Sequence, residues 1–264
     1  MKDESFNLTV ETLAGMIDQT FLKPFGTQDD IERLCEEALR YGFAAVIVNP
    51  SEVALCASLL AGSKTKVGTV IGFPLGQTTT ACKSFETKDA IAKGASEIDM
   101  VINIRALQNG HLDVVKREID DMVAICNPIQ VISKVIIETC YITDIEKEMA
   151  CRIAKAAGAD FVKTSTGFGI AGATESDIRL MRRIVGEEMG VKASGGIRDL
   201  ETAWTMIKAG ATRIGTSSGV TIIETLSLYD GMRYSMCEML EIHGTEEKLS
   251  PEALDDLAEY VLAL

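Results

Sequence analysis

Three charged residues fall inside runs that otherwise read as strands, and their types are those of carbonyl chemistry. Lys163 lies in Asp160-Phe161-Val162-Lys163-Thr164-Ser165, Lys192 directly follows Val191, and Asp99 lies in Glu97-Ile98-Asp99-Met100-Val101-Ile102-Asn103. Strand side chains alternate between faces, so Lys163 shares a face with Phe161 and Ser165, and Asp99 shares one with Val101 and Asn103. A charge pointing into a packed interior is expensive unless it is paired, reaches solvent or does chemistry. Lysines on adjacent strands, about 4.8 Å apart, repel by about 3 kcal/mol at an effective dielectric near 20. That is roughly two pKa units, and desolvation adds to it. One amine is then partly neutral near pH 7. A neutral amine attacks carbonyls, and the resulting iminium is an electron sink. Lys163 as nucleophile with Lys192 lowering its pKa is a coherent reading, although spacing alone does not say which lysine reacts. Asp99 would shuttle protons, directly or through water. Asp18 and Thr20 share a face in the first strand, and Lys134 and Glu138 flank Ile136 in the fifth.

A second pattern concerns anions. Ser194-Gly195-Gly196-Ile197-Arg198 ends the seventh strand-like run, and Gly215-Thr216-Ser217-Ser218-Gly219 ends the eighth and opens a helix. Small residues let backbone N–H groups approach a phosphate, and a helix N-terminus favours its charge. The plain alternative is that these glycines only make tight turns. Gly167-Phe168-Gly169-Ile170-Ala171-Gly172 matches a dinucleotide-binding glycine pattern. The acid that such a site needs about 20 residues on, at the end of the next strand, is missing: Glu187 and Glu188 precede that strand. These glycines are read as a flexible loop facing substrate.

The elements that must hold these residues repeat regularly. Strand-like runs begin near Met16, Ala44, Val67, Glu97, Ile132, Ala159, Val191 and Thr212, about 28 residues apart on average, the length of one strand, one helix and two short loops. Between them lie helical patterns. Ile31, Leu34, Cys35, Ala38 and Leu39 form one stripe, and Ile145, Met149 and Ile153 another. Thr27-x-x-Asp30, Thr143-x-x-Glu146 and Thr174-x-x-Asp177 read as helix starts. Eight such units predict an α/β chain folded as a (β/α)₈ barrel, residues 1–264 forming one domain, with Pro251 to Leu264 as an additional C-terminal helix. An open doubly wound sheet shares the alternation. In a barrel the carboxyl ends of the strands build the site, and the loops after the seventh and eighth strands often hold phosphate.

Composition narrows the partners. The 264 residues carry 26 Lys and Arg against 39 Asp and Glu, a net charge of −13. So acidic a surface disfavours nucleic acid and anionic membranes but leaves room for a locally positive pocket and a small anionic substrate. No apolar run approaches the roughly 18 to 20 residues of a bilayer span, and Met1-Lys2-Asp3-Glu4-Ser5 opens no signal peptide, so a cytoplasmic location is expected. Seven cysteines without C-x-x-C spacing read as reduced thiols, mostly core residues. With only His111 and His243, a His-rich metal site is ruled out, and both read as solvated surface residues.

The residues together resemble the deoxyribose-phosphate aldolases, which are class I aldolases. The resemblance runs in order from about residue 16 to 220, through Ile17-Asp18-Gln19-Thr20-Phe21-Leu22-Lys23-Pro24, Val46-Ile47-Val48-Asn49-Pro50, Val70-Ile71-Gly72-Phe73-Pro74-Leu75-Gly76, Glu97 to Asn103, Lys134 to Thr139, Phe161 to Phe168, Lys192 to Arg198 and Gly215 to Gly219. It implies a barrel that reversibly cleaves 2-deoxy-D-ribose 5-phosphate to D-glyceraldehyde 3-phosphate and acetaldehyde, without metal or cofactor. It places the Schiff-base lysine at Lys163, the second lysine at Lys192 and the proton-relay aspartate at Asp99. Phosphate contacts fall on Gly167, Gly195, Gly196, Gly215, Ser217 and Ser218, with Asp18, Thr20 and Lys134 as supporting polar groups. Partners would be a small phosphorylated sugar, small aldehydes and, for some members, further copies in a homodimer or homotetramer. The chain departs from some members at Phe168, where they have lysine, and at Ile47, where many have cysteine. Tyr260 lies four residues before the end, so a terminal tyrosine's phosphate role is not carried over. Two other readings remain: a different class I phosphosugar aldolase or thiolase-like Schiff-base barrel, and a phosphosugar-binding barrel without catalysis.

Overall fold

Residues 8–229 are described by the computed structural model. The strands are β1 (Ile17–Phe21), β2 (Ala45–Val48), β3 (Lys66–Ile71), β4 (Glu97–Val101), β5 (Ile132–Ile136), β6 (Phe161–Lys163), β7 (Gly190–Ser194) and β8 (Arg213–Thr216). Each pairs in parallel with the next, and β8 pairs with β1 through Ile17 opposite Ile214, which closes the ring. Closure excludes the open doubly wound sheet. The sheet is wrapped by α1 (Val10–Ala14), α2 (Gln28–Tyr41), α3 (Val53–Leu59), α4 (Thr80–Ala92), α5 (Ile104–Gln108), α6 (Leu112–Cys126), α7 (Asp144–Ala157), α8 (Glu175–Val185) and α9 (Leu200–Lys208), and a further helix runs over 219–229. The C-terminal helix expected over 251–264, and with it His243 and Tyr260, lies outside the described residues.

Local chemistry sets the helix ends. Thr27 with Asp30 and Thr143 with Glu146 form reciprocal capping boxes, and the Thr174 side chain accepts from the Asp177 amide. Gly42 and Gly158, in left-handed conformation, end α2 and α7. The buried faces are narrower than the apolar stripes in the sequence. Leu39 is exposed although Ile31, Leu34, Cys35 and Ala38 are buried. In α7 Ile145 is exposed, and the buried face is Ala150, Cys151 and Ala154, with Met149 and Ile153 at its edge. A helix lying on a barrel touches only a thin line of sheet, and small residues let it approach closely.

The main core lies between the sheet and the helices. Inside the ring the filling is asymmetric. Leu22, Ala45, Ile47 and Val70 form a small apolar plug on the β1–β3 side. Across the ring, Asp18 on β1 and inward residues of β4 to β8 form a buried charged layer instead. The six described cysteines are all free thiols. Among the described residues no helix is long and apolar enough to cross a membrane.

Candidate active site

Registry brings the inward charges together. Lys163 is the Cα partner of Lys192, Asp99 of Lys134, and Lys192 of Arg213. Asp99 is the hub: its Oδ2 accepts from Lys163 Nζ and from Lys192 Nζ, both at 2.8 Å, and its Oδ1 accepts from Lys134 Nζ at 2.7 Å. Lys192 also donates to Asp18, which receives Arg213 Nη1 at 2.7 Å. Glu97 closes the circuit with Lys134 and with Arg213. Three carboxylates (Asp18, Glu97, Asp99) therefore face four cations (Lys134, Lys163, Lys192, Arg213) in a nearly dry interior.

Four cations against three carboxylates leave one positive charge in surplus. Burial pushes Lys163 down, Lys192 and Lys134 push it further, and Asp99 opposes them, leaving it at about 8. Lys134 is buried as well, but Asp99, Glu97 and Asp18 outweigh that and raise it. Arg213 is raised by Asp18 and Glu97 against the cost of burial. Burial alone would raise Asp18, yet Lys192, Arg213 and Lys134 hold it down at about 2. Asp99 is likewise held well below the usual carboxylate range, by Lys134, Lys163 and Lys192 against burial. Both expected causes, desolvation and the neighbouring Lys192, push the Lys163 amine down. Desolvation is the larger cause, because the Lys192 charge is already matched by Asp18 and Asp99.

Above this layer the strand ends open into a cleft of about 480 Å³ lined by Thr20, Lys163, Gly167, Phe168, Ser194, Gly195, Gly196, Gly215 and Ser217 among others, with Lys23, Arg33 and Arg198 at its rim. Lys163, 3% exposed, is the one member of the charged layer that reaches the cleft; Asp18, Asp99, Lys134 and Lys192 form the floor behind it. Thr20 turns its hydroxyl to its own strand, donating to Asp18 O at 2.9 Å. Ser218 stands outside the lining, and its amide is occupied by Thr216 Oγ1 at 2.9 Å. The Gly219 amide is taken by Gln19 Oε1 at 3.1 Å. An anion here would meet the Ser217 amide and the Gly195–Gly196 turn rather than the whole helix start.

The glycine loop after β6 is anchored at both ends rather than loose. Glu138, buried and held in the left-handed region at φ 52°, binds Thr166 Oγ1 at 2.5 Å, and Thr166 Oγ1 accepts from the Phe168 amide at 3.0 Å. Burial raises the Glu138 carboxyl, against the Thr166 hydrogen bonds. At the far end Gly172 lies against the β7 turn so closely that a Cβ there would sit 2.0 Å from Gly195 O. Phe168 packs edge-on against Phe73, with ring centroids 5.3 Å apart. Sequence reasoning missed two members of the charged layer, Glu97 and Arg213. The alternation rule that found the others would have found both, since Glu97 is two residues before Asp99 and Arg213 two before Gly215.

Residues 12–224 match the DeoC/LacD family aldolases. The chain is 67% identical to the deoxyribose-phosphate aldolase of Bacteroides thetaiotaomicron over 83% of its own length and 92% of the relative's. It is 58% identical to the enzyme of that name from Thermococcus gammatolerans, over 80% of its own length and 95% of the relative's. Among solved structures it resembles the deoxyribose phosphate aldolase of Aeropyrum pernix, a protein described as having a unique tetrameric structure. The TM-score is 0.77, with 34% identity over 83% of this chain and 92% of that one.

Proposed function

The chain belongs to the DeoC/LacD aldolase family, and from that premise we propose that it cleaves 2-deoxy-D-ribose 5-phosphate reversibly, through an imine on Lys163. One observation carries the proposal. Lys163 is the buried lysine that reaches the cleft, and it holds its proton only up to about pH 8. At pH 7.5 roughly a quarter of it is the free amine, against about one part in a thousand for a lysine at its ordinary value.

The neutral Nζ attacks the sugar's C1 aldehyde, and loss of water leaves a protonated imine. A base removes the proton of the C3 hydroxyl. The C2–C3 bond then breaks, its electron pair forming the enamine as the C3 carbonyl of glyceraldehyde 3-phosphate appears. Protonation of the enamine carbon and hydrolysis release acetaldehyde and restore the amine. The iminium supplies the electron withdrawal, so the scheme calls for neither metal nor cofactor. Asp99 orients the amine and, through water, passes protons in the steps where Lys163 has lost its ammonium charge. Lys192 donates to Asp99 and Asp18 beside the amine, while Asp18, Lys134, Glu97 and Arg213 hold that geometry. The phosphate would sit on the amides of Gly195, Gly196 and Ser217, with Gly215 and Gly167 leaving room for it and Arg198 at the rim. Under this reading the protein works in the cytoplasm, as one step in breaking down deoxyribose phosphates, and pairs with copies of itself.

The test is borohydride reduction in the presence of acetaldehyde, followed by peptide mass mapping. One ethyl group on Lys163 is expected, alongside cleavage of 2-deoxyribose 5-phosphate to a trappable aldehyde. An adduct mapped to Lys192 or Lys134 moves the nucleophile, and turnover without any adduct removes the imine.

A further inference from the structure

Four buried side-chain polar atoms among the described residues have no hydrogen-bond partner: Thr139 Oγ1, Ser165 Oγ, Arg182 Nη2 and Ser194 Oγ. Of these residues only Ser194 lines the cleft. A buried hydroxyl left unpaired is destabilising, so one that is kept at the wall of a binding cleft points to a ligand atom.

Its placement says which atom. Ser194 is two residues after Lys192 on β7, so its side chain is on the same face, one pleat nearer the mouth. The next residue on that line is Gly196, in the turn assigned to the phosphate. Ser194 is also the Cα partner of Gly215. A Cβ built on Gly215 would lie 2.5 Å from Ser194 Oγ and 3.0 Å from Lys192 Cε, so the hydroxyl and the lysine stem converge on one patch of wall. The backbone of Ser194 is pinned on both sides by Thr164 Oγ1, at 3.1 Å to its amide and 3.1 Å to its carbonyl, which fixes where the side chain starts. A substrate joined to Lys163 by C1 and held by its phosphate at Gly196 and Ser217 stretches its hydroxyl-bearing carbons past this point.

We propose that Ser194 Oγ hydrogen-bonds the hydroxyl next to the phosphate-bearing carbon of the substrate, which is the C4 hydroxyl of the sugar and the C2 hydroxyl of the glyceraldehyde 3-phosphate fragment. Ser194 is then a specificity-determining residue that favours 2-hydroxylated phosphoaldehydes over deoxy ones. The inference rests on the aldolase reading and adds to it the group that reads this hydroxyl.

The experiment uses the full chain in the condensation direction, with acetaldehyde as donor and two acceptors, D-glyceraldehyde 3-phosphate and 3-phosphooxypropanal, which lacks the C2 hydroxyl. In Ser194→Ala, kcat/KM for glyceraldehyde 3-phosphate is expected to fall about five- to tenfold, the size of one neutral hydrogen bond. For 3-phosphooxypropanal it stays within twofold, so the preference collapses. The variant melts no lower than the parent, because the hydroxyl it loses has no partner in the protein. Equal losses for both acceptors, or no loss for either, overturn the inference while leaving the aldolase reading standing. Failure of the unaltered protein to condense either acceptor overturns the aldolase reading, and this inference with it.

Discussion

Replacing Lys192 by methionine isolates the electrostatic part of what makes Lys163 reactive. The two ammonium nitrogens each lie 2.8 Å from one oxygen of Asp99. That holds them within about 5.6 Å of each other, a repulsion of about 3 kcal/mol, or two pKa units, at an effective dielectric near 20. Asp18 lies against Lys192 and cancels part of its field, and burial of Lys163 is untouched by the change. The expected effect is therefore about half the bare value: Lys163 rises from about 8 by roughly one unit. Freed from Lys192, Asp99 leans more on Lys163, which acts in the same direction. The fold should tolerate the substitution, since Asp18 keeps Arg213 at 2.7 Å and Asp99 keeps Lys134 at 2.7 Å. The assay is kcat/KM for cleavage from about pH 6 to pH 10, with the rate of borohydride trapping by acetaldehyde as a readout of the amine alone. In both profiles the limb that rises with pH should move up by about one unit. The rate at pH 7 should fall about tenfold while the high-pH plateau stays within a few-fold. A limb that stays in place while the whole profile drops refutes the argument, and would mean that Lys192 acts on bound substrate rather than on the amine.

Lys163→Met should abolish cleavage and stabilise the protein at the same time. The folded value of about 8 lies below the ordinary 10.5, so the folded chain binds this proton more weakly. The resulting cost of about 3 kcal/mol is complete below pH 8 and fades as pH rises toward 10.5. Urea denaturation at pH 6.5 should favour the variant, with the gap closing near pH 10; equal stability at pH 6.5 would contradict the surplus-charge argument. Lys83 and Glu118 form a separate buried pair at 2.6 Å, with Lys83 Nζ also on Val101 O and Glu118 Oε1 receiving the Asn103 amide. Lys83→Met should cost about 3–5 kcal/mol by stranding Glu118, and adding Glu118→Gln should recover much of it in a double-mutant cycle; additive losses would show that the two charges are not coupled. Gly172→Ala drives a Cβ to 2.0 Å from Gly195 O. It should raise KM for the phosphorylated sugar more than tenfold and leave acetaldehyde imine formation nearly intact, so equal damage to both would detach this contact from the phosphate turn.

How much was legible beforehand differs by level. β-Branched runs and the roughly 28-residue period mark each strand start to within one or two residues, because both are local signals. The capping boxes at Thr27 and Thr143 were legible for the same reason. The stripes through Leu39 and Ile145 misled at their edges, since amphipathic spacing cannot say how wide a strip of helix the barrel covers. Ser194 appeared in the sequence only as part of a glycine turn. That its hydroxyl lies beside Gly215 depends on β8 pairing with β7.

The amino-acid sequence by itself determined an alternating α/β chain with lysines and an aspartate on inward strand positions and glycine turns at the strand ends, because side-chain alternation and turn chemistry act over a few residues. Tertiary structure alone decided which lysine of the charged layer lines the cleft. The charge that amine carries depends on its burial and on how three carboxylates are shared among four cations, seven residues drawn from six strands. Those distances come into being when the ring closes, and Coulomb energies inside it follow distance and desolvation rather than order along the chain.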